Sequence, residues 1–249
     1  MPDLLLELFS EEIPARMQGK AAKDLQRLVT DGLVENGLTY AGAASFATPR
    51  RLALAIGGLT DGSKSTKEER KGPKVGAPDK AVEGFLRGVG LTKDQLDVRT
   101  VGNAEVYFAT IEKPGRAAED IIGEVVLKTI QSFPWPKSMR WGTAPLRWVR
   151  PLRNILCVLT REDGSSVIPV DLPGFISNDK TYGHRFMGPN EVSVSSFEDY
   201  SAKLKHQFVI LDPQERADTI WQDATNQAFA QGLEVVEDDG LLKEVAGLV

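Results

Sequence analysis

Residues 4 to 9 read Leu-Leu-Leu-Glu-Leu-Phe, and this run limits the fold more than any other part of the chain. Its period of two sets Leu4, Leu6 and Leu8 on one side and Leu5, Glu7 and Phe9 on the other. A strand that is apolar on both faces belongs in the middle of a sheet, with a layer above it and another below. Glu7 is the exception in that run. SEEIP then breaks the strand. From about Arg16 to Glu35 the positions Ala21, Leu25, Leu28, Val29 and Leu33 recur at helical spacing, which predicts an amphipathic helix packed back on the strand. Gly37 stands where that helix would stop.

Further on, Ser45 to Ile56 reads as a second strand interrupted at Thr48-Pro49, where proline removes a ladder donor and marks an edge or a kink. Arg50 and Arg51 follow at the strand end, as either a ligand-facing pair or an ordinary solvated one. Between Asp61 and Pro78, five basic residues and two glutamates are spaced by Gly and Pro. That composition predicts an exposed loop or hairpin over 60–78, touching a nucleic-acid backbone or serving only as a solvated linker. Residues 79 to 89 and 117 to 130 carry helical apolar stripes, and Thr92 to Gln95 resembles a capping box for a short helix. Glu105 to Glu112 is rich in strand formers. Asn154 to Thr160 and Val167 to Leu172 make a strand pair across REDGSS.

Residues 177 to 190 form a polar loop in which His184 and Arg185 could donate to a phosphate or carboxylate, or serve only the turn. Gly183 and Gly188 there let backbone come close to a partner. Asp212-Pro213-Gln214-Glu215 opens a helix with Ala217, Ile220, Trp221, Ala224 and Ala228 as its buried face. The closing LLKEVAGLV is an apolar helical pattern without a terminator, so the expectation is a piece of a longer protein.

The formal net charge is -5, yet residues 133 to 156 hold three of the four tryptophans, five basic residues and no acid. Those residues are Lys137, Arg140, Arg147, Arg150 and Arg153. Arginine forks suit phosphate and flat aromatic faces can stack bases, so the stretch fits a phosphate-rich partner. The same residues also fit a core edge, with tryptophans inward and arginines snorkelling out. With 41% hydrophobic and 26% charged residues, the composition is that of a globular protein. No apolar run is long enough to span a membrane, and the acidic start is no secretory signal. A cytoplasmic location follows by elimination. Cys157 lies in an apolar run, and with His184 and His206 it is too little for structural zinc. A glycine-rich phosphate loop, a GxSxG elbow and an evident carboxylate pair are all missing from the sequence. His206 precedes Gln207 rather than Asp. No catalytic or metal residue is therefore assigned, and the chain reads as a binding or scaffolding part.

Eight stretches carry a family resemblance. LLLELFSEEIPARMQ at 4 to 18, TPRRLA at 48 to 53, KGPKVGAP at 71 to 78 and AVEGFLRGVG at 81 to 90 resemble the β subunit of bacterial heterotetrameric glycyl-tRNA synthetase. So do FPWPKSMRWG at 133 to 142, RWVRPLRNIL at 147 to 156, YGHRFMG at 182 to 188 and the closing LLKEVAGLV, in the same order. The resemblance covers the N-terminal third or so of that subunit. It implies an α2β2 enzyme that joins glycine to tRNA(Gly) with ATP, giving AMP and diphosphate. ATP and magnesium would sit on the separate α subunit, and none would be bound by this chain. The partners implied are the α subunit and tRNA(Gly), with no membrane. A weaker similarity to the editing module of phenylalanyl-tRNA synthetase implies an α+β fold: a mixed, largely antiparallel sheet with packed helices, followed by a helical segment. The expected division is an α+β domain over 1–190 and a mainly helical region over 191–249. Lys137, Arg140, Arg147, Arg150 and Arg153 are the first candidates for contact with tRNA or the α subunit, and Arg50, Arg51, His184 and Arg185 the second. A clamp that touches only the α subunit and a hydrolase of mischarged tRNA are the rival readings.

Overall fold

The strand expected at residues 4 to 9 is the middle one of five. The computed structural model describes residues 1–102, 104–142 and 145–249. In it β1 (Asp3–Ser10) lies between β3 (Arg51–Gly57) and β7 (Leu152–Arg161), with β2 (Gly42–Thr48) and β8 (Gly164–Val167) outside them. Every neighbouring pair is antiparallel, and Leu6 faces Leu54 on one side and Cys157 on the other. The fold is α+β. Leu4, Leu6 and Leu8 pack with α1 (Ala15–Glu35) and α3 (Ala118–Gln131) in the larger core. Leu5 joins Ala53, Leu156 and Val158 on the opposite face, against Tyr200 and Leu204 of α4 (Phe197–His206). The alternation in β1 therefore explains both layers. Truncating one of these fully buried leucines to alanine costs about 2–5 kcal/mol, since transfer and cavity contributions add.

The break after Thr48 is the Pro49-Arg50 turn of the β2–β3 hairpin rather than a kink within one strand. The strand pair after residue 154 is β7 with β8, so the second strand stops at Val167 instead of running to Leu172. Ile168, Val170 and Leu172 are buried in the core nonetheless, with Pro169 and Pro173 denying that segment ladder donors. Within the polar loop at 177 to 190, β9 (Lys180–Tyr182) pairs with β10 (Glu191–Ser193).

The expected division at 190/191 does not hold. Residues 1–62 and 117–249 form one compact unit and residues 63–116 another. α4 belongs to the first because it supplies the second layer of the β1 sheet. α5 (Pro213–Ala230) and α6 (Asp239–Ala246) belong to it too. Asp212 caps α5 as the sequence predicts, accepting from the N–H groups of Gln214 and Glu215. Its buried face is smaller than expected: Ala217 is buried, whereas Ala224 is exposed and Ile220, Trp221 and Ala228 are half-buried.

The stretch 60–78 is not a linker. It holds β4 (Thr66–Lys74), which pairs with β6 (Ala104–Lys113), and β6 pairs with β5 (Leu96–Val101). α2 (Asp79–Val89) and a 3-10 turn at Lys93–Gln95 complete this unit, the turn closed by the Thr92/Gln95 capping box. β4 lacks an apolar period because charge pairs decorate it. Lys67 meets Glu112 across the strands at 2.5 Å, and Arg99 reaches Glu69 at 2.7 Å. Polar periodicity hides such a strand from a hydrophobic reading. Among the described residues, no helix is long and apolar enough to cross a membrane.

Candidate functional site

The 133–150 stretch follows α3 as an irregular two-legged loop. Met139 and Trp148 exchange backbone hydrogen bonds at 2.8 and 3.2 Å, so residue 140 on one leg neighbours residue 147 on the other. Trp148 is completely buried, and its ring packs with Phe133 and Trp135 at centroid distances of 4.9 and 5.1 Å. Trp135 and Trp141 are half-buried against the same core. The tryptophans are therefore anchors, not a stacking platform. Residues 143 and 144 lie outside the described residues.

The basic side chains of the stretch point the other way, and Lys137, Arg140, Arg147, Arg150 and Arg153 are all exposed. Arg147 donates to the Ser138 hydroxyl at 3.2 Å and Arg150 to the Val149 carbonyl at 2.9 Å, both neutral acceptors. Among the described residues, Lys137 and Arg140 meet no carboxylate within ion-pair distance, nor do Arg147 and Arg150. Arg153 differs: its guanidinium lies 2.7 Å from Glu11.

Glu11 belongs to a second centre that the fold assembles from distant segments. β1 ends there, and the β2–β3 turn and the 183–187 loop come up beside it. Glu11 pairs with Arg50 at 3.6 Å and Arg185 at 2.8 Å as well as with Arg153. Burial alone would raise the Glu11 carboxyl, but the Arg153 hydrogen bond and the charges of Arg50, Arg153 and Arg185 together hold it below the ordinary carboxylate range. Burial lowers Arg50, with Glu11 opposing that and Arg185 and Arg51 adding to it. Both Arg50 and Arg51 lie over the Phe9 ring, at 4.7 and 5.2 Å, in reach of its negative face.

Arg51 is not a loop-tip contact, since it is only 2% exposed. It donates to the Tyr182 carbonyl at 2.7 Å and lies 3.6 Å from Glu7. Glu7 in turn accepts from the Thr181 hydroxyl at 2.8 Å and the Tyr200 hydroxyl at 2.6 Å. Tyr200 is raised well above its ordinary value, first by burial and then by the Glu7 charge. The polar exception in β1 is thus the partner of a buried arginine. Breaking such a pair costs about 3–5 kcal/mol, because one charge is left uncompensated in the interior.

Arg50, Arg51, His184 and Arg185, proposed on separate grounds, come together around one cavity of about 400 Å³. Gly183 and Gly188 do let backbone approach closely, but to each other and to Gln207, where an added Cβ would collide. Arg216, Phe208 and the Glu11/Glu12 pair were missed by sequence reasoning. Arg216 is 5% exposed and donates to the carbonyls of Ala47, Ile210, Leu211 and Ala246. Nothing in its neighbours marks it; for Glu11 the signal was present, in the SEE that ends a central strand next to a turn bearing two arginines. Among the described residues, no three His, Cys, Asp or Glu side chains are grouped to hold a metal ion.

A family model described as glycyl-tRNA synthetase beta subunit matches residues 4–249. The chain is 68% identical, over all of its 249 residues, to a glycine--tRNA ligase beta subunit of Ruegeria sp. (strain TM1040), covering 36% of that protein. It is 60% identical to the one of Dinoroseobacter shibae and 59% identical to that of Paracoccus denitrificans, again over its whole length and 35% and 36% of theirs. It thus spans about a third of the length of these curated relatives. With the match running from β1 to the last helix, the chain belongs to the glycyl-tRNA synthetase β-subunit family.

Proposed function

We propose that the chain serves as a non-catalytic tRNA-binding and assembly part of a glycine--tRNA ligase. In this reading a separate α subunit carries ATP, magnesium and the adenylation of glycine, in the cytoplasm. One observation supports it above the rest. Lys137, Arg140, Arg147 and Arg150 stand exposed on a loop anchored by buried tryptophans, with no carboxylate neutralising them among the described residues. In a chain of net charge -5, an uncompensated cationic loop suits the phosphates of RNA or an acidic partner surface. Arg153 is a weaker candidate, because Glu11 already holds it.

The test is charge reversal at Arg140 and Arg150 together, read by filter binding to tRNA(Gly) with and without the α subunit. Affinity for tRNA should fall tenfold or more, with a shallower salt dependence, while the melting temperature stays put. Unchanged tRNA affinity would refute RNA contact by this loop, and if association with the α subunit weakened instead, the loop would be an assembly surface alone. A collapse in thermal stability would make the arginines structural.

A further inference from the structure

The cavity beside the β2–β3 turn holds more positive groups than its internal ion pairs use. Its volume of about 400 Å³ is within the range of small-molecule sites. Arg50, Arg51, Arg185 and Arg216 line it against one acidic side chain, Glu12. Much of the remaining wall is apolar, with Phe186, Met187, Phe208, Ile210 and Ile220. Charge is thus gathered in one part of a pocket that is otherwise greasy.

Three donors in that charged part lack acceptors. Arg51 is 2% exposed, yet its Nε and Nη1 have no hydrogen-bond partner, and neither has the buried Nε of Arg50. Buried guanidinium N–H groups are rarely left this way, and an oxyanion would satisfy them. His184 adds a further donor. Its Nδ1 accepts from the N–H groups of Phe186 and Met187 at 3.3 and 3.1 Å, so the neutral ring carries its proton on Nε2.

The apolar part has its own anomaly. Phe208 has a φ of 59°, the one positive value at a non-glycine residue among those described. It follows α4 where the Val209 N–H reaches back to the Leu204 carbonyl at 2.9 Å, a position that helices usually give to glycine. The ring is not held there by burial, since the residue is 58% exposed. Strained backbone without a packing reason collects at ligand sites. Phe186, 81% exposed, lines the same cavity.

We propose that this cavity binds a small organic anion, a phosphate or carboxylate joined to a flat apolar body. Arg50, Arg51 and His184 hold the oxyanion, while Phe186 and Phe208 cover the body. The site does not depend on the proposed tRNA contact, which rests on the loop at 137–150.

Isothermal titration calorimetry of the 249-residue chain with phenyl phosphate, phenylacetate and inorganic phosphate tests it. At least one of the two aromatic anions should bind at a single site, tenfold or more tightly than inorganic phosphate. Arg50→Gln should weaken that binding at least tenfold. Phe208→Gly should do the same while leaving the melting temperature unchanged or higher, because glycine adopts the left-handed conformation without strain. This second variant keeps loss of the site distinct from loss of the fold. Absence of binding by both aromatic anions, inorganic phosphate binding as tightly, or affinity that survives either substitution unchanged would overturn the proposal.

Discussion

Arg51 and Arg140 carry the same guanidinium and meet opposite fates. Arg51 is enclosed, with Glu7 beside it, the Tyr182 carbonyl on one nitrogen and the Phe9 ring beneath. Arg140 stands in water on a loop whose aromatic residues hold the core instead. The difference lies in what surrounds each one, not in local charge density, which is higher around Arg140. A cationic stretch in a sequence therefore says little until the carboxylates that could neutralise it are located. Around the cavity they come from residues 7, 11 and 12, more than 30 positions away from the arginines they hold.

The contrast can be broken experimentally. Its largest expected effect is on the free region's support rather than its charges: Trp148→Ala should cost about 3–5 kcal/mol in urea denaturation, as for other buried aromatics. A cost under about 1 kcal/mol would mean that the tryptophan does not anchor the loop. Glu7→Gln comes next and should cost about 3 kcal/mol, since Arg51 loses its charged partner in a dry setting. A near-neutral result would erase the distinction between the two arginines.

Alkali probes the same interior without substitution. Burial pushes the Cys157 thiol up to about 12, and burial and the Glu7 charge raise Tyr200 well above its ordinary value. Both groups hold protons more tightly when folded, so their contribution is intact below the unfolded values of about 8.5 and about 10 and is lost as pH rises past them. Stability should fall from about pH 9 upward, by at most about 1.4 kcal/mol per pH unit for each group. Cys157→Ala should flatten the first part of that decline in pH-dependent melting. The smallest effect expected is that of Arg140→Glu, within about 0.5 kcal/mol of the parent in the same denaturation assay. A larger loss would place Arg140 among the tied arginines.

Much of this molecule was legible from periodicity. Leu4, Leu6 and Leu8 against Leu5 and Phe9 announced a central strand with two covered faces, and the α1 and α3 stripes announced the layer over one of them. The strand β4 was not legible, because Lys67, Glu69 and their cross-strand partners stabilise it by charge rather than by an apolar alternation. The Trp/Arg stretch was legible in composition but not in direction; only burial separates the anchor Trp148 from the exposed Arg147 beside it. The cavity was half legible. His184, Arg185, Arg50 and Arg51 were singled out separately, but their convergence depends on long-range pairing that no local spacing encodes. Phe208 could not have been found, since a left-handed phenylalanine leaves no compositional trace.

The smaller unit leaves and rejoins the chain at a single place. Gly62 and Ala117 bridge to each other, the Ser63 N–H donates to the Arg116 carbonyl at 2.9 Å, and a side chain at Gly115 would strike Ser63. Residues 63 to 116 are thus an insertion whose two ends lie side by side. Such an insertion can grow, shrink or be exchanged over evolutionary time at little entropic expense to its host, since closing a longer loop adds only slowly to the cost. For engineering, the same join offers a site where a reporter or an affinity handle can be spliced in while the β1 sheet keeps its register.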